Sequence, residues 1–204
     1  MRLLTLIGAL AVIAGIGAAV VFFGGFYSVA GTQEDPAAVH WALVQVRTAS
    51  IVRHAHDIPP TNLGDAAMVQ AGAREFAEHG CTNCHGAPGV TWAKFSEGLK
   101  PEPPDLKDVV GDRTASQLFW VIKNGINMTG MPSFGLAGVK DDDIWEIVAF
   151  LKKLPVVTEA DYKSWTAPPA PPPAPMPPPA AMPDAAPPPA AAPAPDANAP
   201  PTAK

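Results

Sequence analysis

The chain has 204 residues, a formal net charge of −5 at pH 7, 26 prolines and two cysteines. The acidic balance gives no electrostatic footprint for nucleic acid, and two cysteines alone cannot complete a structural zinc site, which takes four N or S ligands. Seventeen of the prolines follow Thr166 and the first 30 residues are almost wholly apolar, which leaves roughly 100–130 residues for one small domain with a single core.

From Leu3 to Gln33 the chain carries no charge, and its apolar part reaches about Ala30. A helix of about 20 residues crosses the hydrocarbon core of a bilayer, so residues 1–33 are expected to form a transmembrane anchor. A cleaved signal peptide is the alternative. Ser28-Val29-Ala30 offers a small-x-small site, but the apolar run exceeds the roughly 7–15 residues usual there. With the segment retained, Arg2 stays cytoplasmic and the rest of the chain lies outside. Residues 34–64 are read as a helix and a Pro-Pro linker. Pro36 suits a first helical turn after Glu34 and Asp35. Val39, Leu43, Val46 and Ser50 form one stripe, and Pro59-Pro60 ends the element. The stripe is expected to pack on the following domain or to lie at the membrane surface.

A domain is placed at residues 65–165. Asp65 is a candidate N-cap for a helix running to His79, with Gly80 as its C-cap and Gly72 and Phe76 on one face. A Gly/Pro-rich loop covers Gly86 to Pro104, followed by Leu106 to Gly111 and a short helix from Thr114 to Asn124. The loop Met128-Thr129-Gly130-Met131-Pro132 follows. A last amphipathic helix runs from Asp142 to Leu154. The acids Asp141 to Asp143 complement its start, Lys152 and Lys153 its end, and Pro155 stops it. No long period-2 alternation occurs, so the fold class is mainly α. Residues 166–204 are Pro/Ala-rich, cannot bury a core, and are expected to form a disordered tail.

Cys81-Thr82-Asn83-Cys84-His85 contains both cysteines. C-x-x-C-H reads as a c-type haem attachment site. Each thiol adds across one vinyl group of the porphyrin, and His85 is placed under the iron as proximal ligand. A thioredoxin-like redox pair would need a βαβ setting, and half of a zinc site would need a second ligand pair. Covalent attachment of haem c also puts the domain outside the cytoplasm.

Around this motif, residues 65–156 resemble class I c-type cytochromes. The resemblance is carried by Gly72 and Phe76, by Cys81-x-x-Cys84-His85, by Met131-Pro132, and by Ala149-Phe150-Leu151-Lys152. With the upstream anchor and helix, the chain looks like the membrane-anchored monohaem cytochromes c of bacteria. The resemblance implies a class I cytochrome c fold whose first and last helices cross, here Gly72 against the Trp145 to Phe150 face. It implies Met131, in a Gly-Met-Pro turn, as second iron ligand, with neighbouring Met128 left to core filling. It also implies a proline carbonyl that accepts from the ligating histidine. Pro103-Pro104-Asp105-Leu106 matches that segment, making Pro104 the acceptor and Leu106 a haem-packing residue. The long proline-rich loop before it departs from the family pattern, so this register stays open. Trp120 either packs on the haem edge, bonds a propionate, or is plain core.

With His85 and Met131 both bound, the iron keeps no open position. The expected function is therefore one-electron transfer by a single haem c at positive potential, with no small-molecule substrate and no enzymatic turnover. A haem peroxidase or gas sensor would need a vacant sixth site. The expected partners are redox proteins at the periplasmic face of the bacterial inner membrane: a membrane dehydrogenase, a bc1-type complex or a terminal oxidase of a respiratory chain. The chain is either a tethered shuttle or a fixed subunit of such a complex. Between Asp65 and Trp165 there are 10 Lys/Arg and 14 Asp/Glu, too mixed a surface to set the sign of docking.

Overall fold

Eight α-helices and two 3₁₀ turns account for the regular structure of residues 2–168, the part described in the computed structural model, with no strand among them. The Pro/Ala-rich tail from residue 169 onward lies outside the described residues. Helix α1 (Arg2–Phe23) has 22 residues, with a mean hydropathy of 2.6 over an 18-residue stretch of it, and buries none of them. By length and composition it can cross a membrane.

Helix α2 (Ala37–His54) starts at Pro36 and stops before the Pro59-Pro60 pair. Its inward face differs from the expected one. Ile51 is buried, with Val44, Arg47 and Thr48 half-buried on the same side, while Val39, Leu43 and Val46 are exposed. Apolar residues occupy both sides of this helix, so spacing alone does not say which side the domain covers.

The scaffold is the crossing of α3 (Ala66–Glu78) and α7 (Asp141–Lys153). A Cβ at Gly72 would stand 1.8 Å from the Glu146 carbonyl oxygen and 3.0 Å from the Ile147 nitrogen. Only glycine lets the two backbones approach this closely. Phe76 and Phe150 meet beside the crossing with ring centroids 5.3 Å apart, and both are essentially inaccessible. Helix α6 (Ala115–Asn124) closes the core from another side, where Phe119 stacks on Trp145 at 4.1 Å. Thr114 and Gln117 form a reciprocal capping box at its start, which satisfies two orphan donors. Asp65 holds the N-cap position of α3 but makes no side-chain cap bond.

An eighth helix, α8 (Glu159–Thr166), was not expected from periodicity. Thr158 and Asp161 cap it reciprocally. Tyr162 is buried against Phe150 at 5.7 Å, and Arg74 of α3 donates to the Trp165 carbonyl at 3.5 Å. The last helix therefore braces the back of the α3–α7 crossing. Pro155 lies in the 3₁₀ turn Leu154–Val156 that joins α7 to this brace.

Candidate functional site

Cys81, Cys84 and His85 sit on one tight turn, α4 (Thr82–His85), with Cys81 as its N-cap residue. Gly80 and Gly86 flank it at φ of 72° and 64°, backbone that glycine adopts freely. The turn is tied to the scaffold by Cys81 N–H donating to the Phe76 carbonyl at 3.1 Å. It is tied to the following loop by Ala93 N–H donating to the Asn83 carbonyl at 2.8 Å. Residues three apart in such a turn share a face, so both cysteines are presented together.

The cysteines are free thiols. Burial pushes the Cys81 thiol up to about 12, and the neighbouring Cys84 adds to the rise. Thiol–disulfide catalysts need the opposite, a lowered thiol pKa. Cys81 is thus ill suited to dithiol redox chemistry and stays protonated.

His85 Nδ1 donates to the Pro104 carbonyl oxygen at 2.9 Å. A carbonyl can only accept, so the proton resides on Nδ1 and Nε2 keeps its lone pair. Burial lowers the His85 pKa, opposed by the Pro104 carbonyl and by the charge of Asp105. Asp105 in turn accepts from Lys107 N–H at 3.0 Å and starts the short helix α5 (Leu106–Val109). Leu106, its first residue, is half-buried against the core.

Met131 lies on a second loop and is half-buried against the same core. Its N–H donates to Thr129 Oγ1 at 3.1 Å, Thr129 Oγ1 donates to the Ile126 carbonyl at 2.8 Å, and Ile126 N–H donates to the Met131 carbonyl at 3.1 Å. Gly125, at φ 70°, lets this loop close: a Cβ there would meet the Pro132 carbonyl carbon at 2.7 Å. A Cβ on Gly130 would stand 2.8 Å from Leu99 Cδ1. The Met131 turn and the loop leading to Pro104 therefore touch. Met128 is not core, as its residue type had implied. It is 86% exposed with φ 59°, on a turn that points it away from the apolar interior.

Trp120 is half-buried and stacks on His54 of α2 at 5.9 Å, a partner that spacing did not foretell. A cleft of about 300 Å³ lies beside Cys84, lined by Trp92, Ser96, Glu102 and the Pro103 to Asp105 segment. Trp92 and Ser96 were missed in the sequence because the Gly/Pro-rich loop carries no period to place them. Its internal order is limited to the Ala87–Val90 bridge and the 3₁₀ turn Lys94–Gly98.

Residues 67–151 match the protein family described as cytochrome C oxidase, cbb3-type, subunit III. This segment is a class I c-type cytochrome domain. The matched span runs from α3 into α7 and includes Cys81, Cys84, His85 and Met131. Helices α1, α2 and α8 lie outside it. No curated protein and no solved structure matches the chain. A cytochrome c domain implies haem c and haem-based electron transfer. The donor set fits that group: two unpaired thiols on one turn, an imidazole whose Nδ1 is already satisfied, and a thioether on an apolar loop.

Proposed function

We propose that the chain is a membrane-anchored carrier of single electrons with one covalent haem c. In this reading Cys81 and Cys84 hold the macrocycle through thioether bonds. His85 Nε2 and the Met131 sulfur would be its iron ligands. The bound haem supplies a one-electron iron couple. The carrying observation is the hydrogen bond from His85 Nδ1 to the Pro104 carbonyl, which fixes the tautomer and aims Nε2 as an iron-ligating histidine requires.

The protein residues do the rest. Pro104 orients the imidazole and raises its basicity. The neutral thioether of Met131 favours reduced iron and raises the potential. Leu106 packs beside the site and excludes water, and Trp120 borders it. Helix α1 spans the bacterial inner membrane and holds the domain on the periplasmic side.

The purified full-length protein is expected to carry the mass of one haem and to show a low-spin spectrum. Cys81→Ala with Cys84→Ala removes covalent haem. Met131→Ala lowers the potential and opens the reduced iron to carbon monoxide. An unchanged potential in that variant would overturn the ligand assignment, and strong carbon monoxide binding by the unaltered protein would favour a sensor or peroxidase.

The matched family's description as a subunit of a cytochrome c oxidase favours a second reading in which the domain is a fixed electron-entry subunit. Gentle solubilisation of native membranes followed by sizing separates the two. A free monomer means a tethered shuttle, and co-migration with an oxidase or dehydrogenase means a subunit.

A further inference from the structure

We infer that the outward face of α2 rests on the lipid surface of the membrane that α1 spans, and so holds the cytochrome domain against the bilayer. This rests on α1 remaining in the membrane and not on the ligation of the iron.

The helix has two apolar sides and one covering. Its inner side is sealed: Ile51 is buried and His54 stacks on Trp120. Its outer stripe is bare. Val39, Leu43 and Val46 are 36%, 52% and 67% exposed. From Ala37 to Val46 there is no Asp, Glu, Lys or Arg. A contiguous apolar helix face marks an interaction site.

Two observations name the occupant. The first is continuity with the membrane span. Only the 13 residues from 24 to 36 separate α1 from α2, and they do not swing clear of the domain. Glu34 pairs with Lys100, and a Cβ on Gly31 would lie 3.7 Å from the Gly98 carbonyl oxygen. The apolar first half of α2 therefore begins where the chain leaves the bilayer. The second is the order of chemistry along the helix. The uncharged half presents Val39, Leu43 and Val46 on one stripe, an apolar face suited to the boundary between tails and headgroups. The later half carries the exposed Arg53, two turns beyond Val46 on the same side, which reaches anionic phosphates from an interfacial helix. A membrane-surface helix needs an apolar face with basic residues alongside, and α2 supplies both.

The test uses the full-length holoprotein, one copy per nanodisc, in phosphatidylcholine with phosphatidylglycerol. A nitroxide is placed by Leu43→Cys or Val46→Cys, with Ala137→Cys on an exposed loop as the water reference. Only chains whose mass shows one haem and one label are measured, with the iron reduced. At 43 and 46, dissolved oxygen is expected to relax the label several-fold more than a water-soluble nickel chelate does, with the reverse at 137. Chelate-dominated relaxation at 43 and 46, as at 137, would show the face in water and overturn the inference. Shielding from both oxygen and chelate would overturn it in favour of a covering protein surface.

Discussion

The α3–α7 crossing and the two loops that meet beside it are held by different forces. At the crossing, Phe76, Ile144, Ile147 and Phe150 are removed from water almost completely. In the loops, Met131 and Leu106 are only half-buried, and backbone hydrogen bonds plus close backbone approaches set the geometry. Burial fixes the scaffold, and local backbone chemistry fixes the site. Damage to one should therefore register as stability and damage to the other as altered cofactor chemistry.

The strongest challenge to that contrast is Phe150→Ala. Removing a fully buried ring that touches Phe76 and Tyr162 should cost about 3–5 kcal/mol in denaturant unfolding. Gly72→Ala probes the same crossing from the opposite direction. Its new Cβ meets backbone, which cannot rotate away, so a loss of about 3 kcal/mol is expected, the upper part of the overpacking range. A loss under about 1 kcal/mol would mean that the helices slide apart easily.

Gly125→Ala tests the loop side. At φ 70° and ψ −172° a Cβ costs about 1–3 kcal/mol, and here it would also meet the backbone that closes the Met131 turn. A stability loss of about 3 kcal/mol should accompany a lowered potential. A large drop in stability with an intact potential would erase the contrast. The pH response is next. Burial holds the His85 pKa below its ordinary value, so the unfolded chain binds more protons than the folded one below pH 6.5. Stability of the haem-free protein should fall as the pH drops through that range, and His85→Gln should flatten the fall.

The smallest effect belongs to Tyr162→Phe. Its hydroxyl is buried without a hydrogen-bond partner, so its removal should change stability by less than about 1 kcal/mol at pH 7. Burial raises the Tyr162 pKa from 10.0 to about 12, with Cys81 adding to the rise. The folded state therefore keeps a proton that the unfolded chain gives up between those values. The native protein loses that share of stability over this window, and the phenylalanine variant does not.

The sequence makes some of these features plain and hides others, for physical reasons. Helices α3, α6 and α7 announce themselves by helical period, by Thr114 or the Asp141 to Asp143 acids at their starts, and by Gly125 or Pro155 at their ends. The attachment turn is legible because its chemistry is local. The crossing of Gly72 on the Trp145 to Phe150 face follows from resemblance and is met at Glu146 and Ile147. Helix α8 is hidden because eight residues with one buried side chain, Tyr162, carry no period. Its one signal is Thr158-x-x-Asp161, a capping box. The inward side of α2 is hidden because Val44 and Ile51 look no more apolar than Val39, Leu43 and Val46. The touch of Gly130 on Leu99 joins two loops 31 positions apart, which spacing cannot foresee.

The short lead between α1 and α2 also sets a rate. Fully extended, the 13 residues from 24 to 36 reach at most about 45 Å, and the Glu34–Lys100 pair shortens that further. With α1 in the membrane, as proposed, a domain on so short a lead would search a thin slab next to its own lipid sheet. Its redox partners would then be met by sideways drift in two dimensions, at a local concentration fixed by tether length. A freely dissolved protein, however abundant, would have to come to that slab to exchange an electron. Lengthening the lead would thin out encounters with neighbours in the same sheet and widen access to the rest of the compartment.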